Sequence, residues 1–161
     1  MRKIVINSCY GGFSLSPKGL KRLAELQGKE CYFFKDEFVD GDIKYIPVSI
    51  DEIGDTLFFS AFTVSNPQEV LLELNQKNKS WREMTNEEKE SYNKAYDDIY
   101  LSAREIPRDD LLLVQVVEEL GKAASGRAAD LKIVEIPEDV EWQIEEYDGL
   151  EYVAEKHKTW S

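Results

Sequence analysis

The chain has 161 residues, 42% of them hydrophobic and 32% charged, with a formal net charge of −12. This length suits one domain and the apolar fraction suffices for a core, which excludes wholesale disorder. The acidic balance excludes binding to a nucleic-acid backbone or an anionic membrane surface, both of which need clustered Lys and Arg; it suits solubility and tolerates a basic protein partner.

Arg2 to Asn7 reads as a short buried strand on its β-branched run Ile4-Val5-Ile6. A loop from Ser8 to Leu15 carries the Gly11-Gly12 pair, and Ser16 followed by Pro17 starts a helix that Gly28 ends. Cys31 to Phe34 and Ile43 to Val48 are strands joined through an Asp40-Gly41 hairpin signal. Thr56 to Val64, apolar and aromatic, is predicted as a central strand. Asn66-Pro67 opens a short helix, and a Thr85/Glu88 capping box opens another that runs to about Leu101.

Asp109 or Asp110 caps a helix carrying Leu113, Val114, Val117 and Leu120, stopped by Gly121. Leu131 to Ile136 is a strand closed by Pro137. Trp142 to Tyr147 and Leu150 to Ala154 form a hairpin around Asp148-Gly149. The order predicts an α/β fold, with α+β as the alternative: a mixed sheet with helices packed on it and a C-terminal antiparallel hairpin. One domain over 1–161 is expected, with an inserted polar, helical segment at about 66–103.

The strongest site candidate is the loop Asn7-Ser8-Cys9-Tyr10-Gly11-Gly12-Phe13-Ser14, between a strand and a helix. Such a loop presents backbone N–H groups beside a helix start, where an anion is favoured. Ser8, Gly11, Gly12 and Ser14 would hold phosphate, Tyr10 or Phe13 would stack on a base, and Asn7 belongs to the same candidate binding site. The competing reading is a tight turn whose aromatic residues anchor the core. Ser125 and Arg127, in Lys122-Ala-Ala-Ser-Gly-Arg127, form a second anion candidate, with a simple helix end as its alternative. Arg108, with Arg104 across Ile106-Pro107, is an anion clamp or a surface salt-bridge partner.

The stretch Glu138 to Glu151 holds seven carboxylates and no basic residue, and a solvated strand face explains it better than a cation site. Cys9 and Cys31 are the only cysteines and His157 the only histidine, so neither a disulfide framework nor zinc spacing is expected. No catalytic residue, metal or cofactor is assigned. A thiol or carboxylate hydrolase stays open as a minor alternative. No secretory leader and no membrane-length apolar run is read, and a reducing cytoplasm is the expected compartment.

Three blocks carry a family likeness: Ile6-Asn7-Ser8-Cys9-Tyr10-Gly11-Gly12-Phe13-Ser14-Leu15-Ser16; Arg108-Asp109-Asp110 through Glu118-Glu119-Leu120-Gly121; and Leu131-Lys132-Ile133-Val134-Glu135-Ile136-Pro137 through Glu145-Glu146-Tyr147-Asp148-Gly149 to His157-Lys158-Thr159-Trp160. On these the chain resembles a group of small accessory proteins of tailed bacteriophages. The resemblance implies a setting in the host cytoplasm and no established activity. In that setting two functions are expected. The first is non-enzymatic binding of a phosphorylated small molecule, such as sequestration of a nucleotide immune signal in an anti-defence role, with a homo-oligomer sharing sites. The second is inhibition of a host protein through the acidic surface.

Overall fold

The computed structural model describes residues 1–53, 59–74, 80–157 and 160, with backbone alone for residues 42, 73 and 74. The expected strand residues 56–58, the polar stretch 75–79 and residues 158–159 lie outside the described residues. The fold is α+β, and every strand pair described is antiparallel. The chain divides into two compact units, Met1–Gln27 with Ser102–Ser161, and Gly28–Leu101. The second unit therefore takes in the expected inserted segment together with the strands before it.

In the first unit, β1 (Arg2–Asn7) pairs with β5 (Leu131–Ile136), Asn7 opposite Leu131 and Arg2 opposite Ile136. Helix α1 (Pro17–Leu26) starts where the sequence places it, because Ser16 Oγ accepts the Gly19 N–H at 3.1 Å and Pro17 needs no amide partner. Helix α5 (Leu111–Leu120) is capped by Asp110, whose Oδ1 accepts the N–H groups of Leu112 and Leu113 at 2.9 and 3.0 Å. It packs on α1 and on both strands. Ile4, Val5, Leu23, Ala24, Leu113 and Val116 are buried where these elements meet. Outside this core, Arg22 Nε of α1 donates to Glu119 of α5 at 2.7 Å, a pair that pulls the Glu119 carboxyl down to about 2.

The C-terminal hairpin, β6 (Trp142–Tyr147) and β7 (Leu150–Glu155), turns at Asp148 and Gly149, with φ of 50° and 87°. Positive φ at both positions is the type I′ geometry that matches strand twist. Asp40 and Gly41 repeat it, at 52° and 83°, between β2 (Tyr32–Val39) and β3 (Asp42–Pro47) of the second unit.

The second unit holds the sheet β3-β2-β4, where β4 is Phe59–Phe62, with the short α2 (Ile50–Ile53), α3 (Pro67–Leu74) and α4 (Asn86–Ile99). The apolar segment around Phe59–Phe62 was expected to be central; it flanks β2 instead, and β2 is the middle strand. Its apolar character comes from the aromatic cluster it joins. Phe62, fully buried, meets Phe34, Tyr45, Tyr96 and Tyr100 edge-on with ring centroids 5.0 to 5.8 Å away.

Candidate functional site

The end of β1 sets the geometry of the glycine loop. Asn7 is fully buried, and its side chain uses both donors and its acceptor inside the protein. Nδ2 donates to the carbonyls of Cys9 at 3.0 Å and Gly149 at 2.7 Å, while Oδ1 accepts the Asp130 N–H at 2.8 Å. One side chain thus ties together the strand end, the loop behind it, the approach to β5 and the β6–β7 turn. Ser8 joins the same seam, its N–H and hydroxyl both donating to the Asp130 carbonyl, at 2.8 and 2.9 Å.

The two glycine motifs meet along that seam. A Cβ on Gly11 would sit 1.6 Å from the Ala128 carbonyl oxygen, and one on Gly126 would sit 2.0 Å from Ser14 Oγ. The Gly126 N–H donates to the Ser14 carbonyl at 2.9 Å. A Cβ on Gly149 would meet the Gly11 backbone at 2.7 Å, so the hairpin turn and the loop pack glycine against glycine. Close backbone approach is the reason for these glycines.

Beside the loop lies an ion pair. Glu151, on β7, is 7% exposed and faces inward. Arg108 Nη1 lies 2.8 Å from Glu151 Oε2 and 3.0 Å from Oε1, and the Asn7 N–H donates to Oε1 at 3.1 Å. The Arg108 guanidinium carbon stands 3.5 Å over the centre of the Phe13 ring, a stacked cation–π contact. Nη1 also donates to the Val5 carbonyl at 3.3 Å, while the Val5 N–H donates to the Arg108 carbonyl at 2.8 Å.

The structure therefore brings Asn7, Phe13 and Arg108 together with Glu151, which sequence reasoning placed on a solvated face. It brings Arg127 to the loop as well: both of its neighbours, Gly126 and Ala128, touch Ser14 or Gly11. Ser125 accepts the Leu131 N–H through Oγ at 2.9 Å, an internal role. Tyr10 is 69% exposed and stands apart from the ion pair's inner contacts; Arg127 and Ser14 are also exposed. The Cys9 sulfur lies 3.3 Å from both Asn7 Oδ1 and the Ala128 carbonyl oxygen, contacts that a thiol donor makes to acceptors rather than to a base.

Strand pairing sorts the acidic hairpin. Glu145 is opposite Tyr152, and Tyr147 opposite Leu150. Tyr147 is 73% and Tyr152 50% exposed, and Glu145 holds the Tyr152 hydroxyl proton and raises its pKa. Glu146 Oε1 accepts the Gly149 N–H at 2.8 Å at the turn. Residues 137–155 contain no Lys or Arg.

Among the described residues no cluster of three or more His, Cys, Asp and Glu could hold a metal ion, and no helix is long and apolar enough to cross a membrane. No known protein family, curated protein or solved structure matches the chain.

Proposed function

We propose that the protein acts by binding, without catalysis, and that its working surface is the exposed face of the β6–β7 hairpin, which takes a basic segment of a partner protein. One observation carries this reading: Glu151 is turned inward and neutralised by Arg108, while the other face of the hairpin carries exposed Tyr147 and Tyr152 with Glu145 opposite Tyr152, and Asp148 lies at the turn. Tyrosine rings and carboxylates both attract Lys and Arg, and tyrosine is a frequent anchor of interfaces. An inhibitor role in a host cell, the second function expected above, is compatible with such a surface.

The test is capture of partners from host lysate with the purified protein. The expected partner is basic and is released as salt is raised, because exposed charge pairs are screened. Replacing Tyr147 and Tyr152 together by alanine should weaken the complex tenfold or more, about 1.4 kcal/mol. A complex indifferent to both salt and the double substitution would discard the reading.

The position of Arg127 favours a second reading, a phosphorylated small molecule such as a nucleotide signal bound at the seam. This ligand would rest on Gly12, Ser14 and Arg127 beside the loop, the latter two exposed, with exposed Tyr10 stacking. Arg127→Ala should weaken it about tenfold, read as the loss of a nucleotide-induced rise in melting temperature. A screen of nucleotides and cyclic dinucleotides that moves the wild-type melting temperature nowhere would remove this reading. Native mass spectrometry of the same sample reads the oligomeric state.

A further inference from the structure

Within the aromatic cluster of the second unit sits one carboxylate that nothing above employs. Asp36 lies on β2 opposite Tyr45 of β3. Its Oδ2 accepts the Ser60 hydroxyl of β4 at 2.9 Å, and Ser60 is itself 5% exposed. Its other oxygen, Oδ1, is sealed from solvent and has no hydrogen-bond partner. Native proteins rarely leave a buried carboxylate oxygen unpaired, since the charged form then bears the full cost of desolvation.

Among the described residues the groups around it offer no countercharge. Tyr45 comes from β3, Tyr96 from α4 and Tyr100 from just after its end, with Tyr92 of the same helix beyond Tyr45. Lys35 and Glu37, its neighbours on β2, point to the opposite face by strand alternation. The Tyr45 and Tyr96 hydroxyls are hydrogen-bonded to each other, and burial pushes Tyr45 up to about 12. Among the described residues Asp36 forms no ion pair with Lys or Arg.

We infer that Asp36 makes this unit a pH-responsive module, tighter while the carboxyl is protonated and looser once it is charged. Loosening frees the β2–β4 pairing and the aromatic cluster by local opening. The direction follows from linkage. Burial holds the Asp36 carboxyl above the usual aspartate value in the folded unit, opposed only by the Ser60 hydrogen bond. Below the unfolded value both states hold the proton and nothing is lost. Stability falls as pH rises from the unfolded value through the folded one, then stays low. The chain's only histidine, His157, belongs to the other unit, so no imidazole titration obscures the response.

The experiment is amide hydrogen exchange by NMR on the full chain at about pH 4.5 and about pH 7.5, corrected for intrinsic exchange. Protection of the β2 and β4 amides should fall several-fold at the higher pH in the wild type. It should stay level in D36N, while β1 and β5 amides report any general effect. Ser60→Ala, which removes the one donor to the carboxylate, should widen the pH response. A carbon-detected titration should find the Asp36 midpoint above that of an ordinary aspartate. Level protection in the wild type, a midpoint at or below the ordinary value, or a D36N protein less protected than wild type or unable to fold would each overturn the inference.

Discussion

Gly11→Ala should destabilise the first unit by about 4 kcal/mol or more, placing it among the most damaging single substitutions. The added methyl would sit 1.6 Å from the Ala128 carbonyl oxygen and 2.7 Å from its carbon. Both are backbone atoms, so relief requires the loop to leave the approach to β5. That movement would also strain the Asn7 hydrogen bonds to the Cys9 and Gly149 carbonyls, and it would part Gly11 from Gly149. Tyr10→Ala, one residue away on an exposed side chain, should change stability by less than about 0.5 kcal/mol. Urea unfolding of the two variants side by side gives the comparison. A Gly11→Ala protein as stable as wild type that has lost only ligand affinity would mean that the glycine serves a bound phosphate instead of the packing.

Removing the inward carboxylate should come second in size. Glu151→Ala leaves the Arg108 guanidinium without its countercharge and the Asn7 N–H without an acceptor. Breaking a buried pair from one side costs about 3–5 kcal/mol, and the lower end is expected because the Arg108 side chain keeps 20% exposure. Arg108→Met should cost more, since the Glu151 side chain is only 6% exposed and would hold an unpaired charge. The double variant Arg108→Met with Glu151→Leu should recover most of the loss, because neither charge is then buried alone and the apolar side chains fill the space. A double-mutant cycle built on Glu151→Leu and Arg108→Met, read by urea unfolding, measures the coupling, which is expected to exceed the cost of the Glu151 variant alone. Two single variants that each lose under about 1 kcal/mol, with additive effects, would show that the pair contributes little to the fold.

These two clusters also give several of the candidate site residues partners inside the fold. Asn7, Ser8, Phe13, Arg108 and Ser125 are polar or aromatic residues on loops or at a strand end, the pattern expected of a ligand site, yet each is engaged inside the fold, most of them by a partner distant in sequence. Asn7 meets Gly149, Ser8 meets Asp130, and Arg108 meets Glu151. No local signal distinguishes an asparagine that binds phosphate from one that closes a seam. The same holds for Glu151: nothing in the Leu150–Glu155 pattern singles it out, and only the position of Arg108 marks it as inward.

What the sequence by itself determined is local. The Ser16, Thr85 and Asp110 caps, the Pro17 start and both Asp-Gly turns appear as read, because a cap or a type I′ turn is stabilised by residues within three or four positions of one another. Only the tertiary structure decided that β1 pairs with β5 across most of the chain, that β2 rather than β4 is the middle strand, and that Gly11 rests on Ala128 and Gly149. It also left Asp36 with an unpaired oxygen amid aromatic rings. Those outcomes depend on which distant surfaces exclude water together, a property of the whole packed chain that no window of neighbouring residues contains.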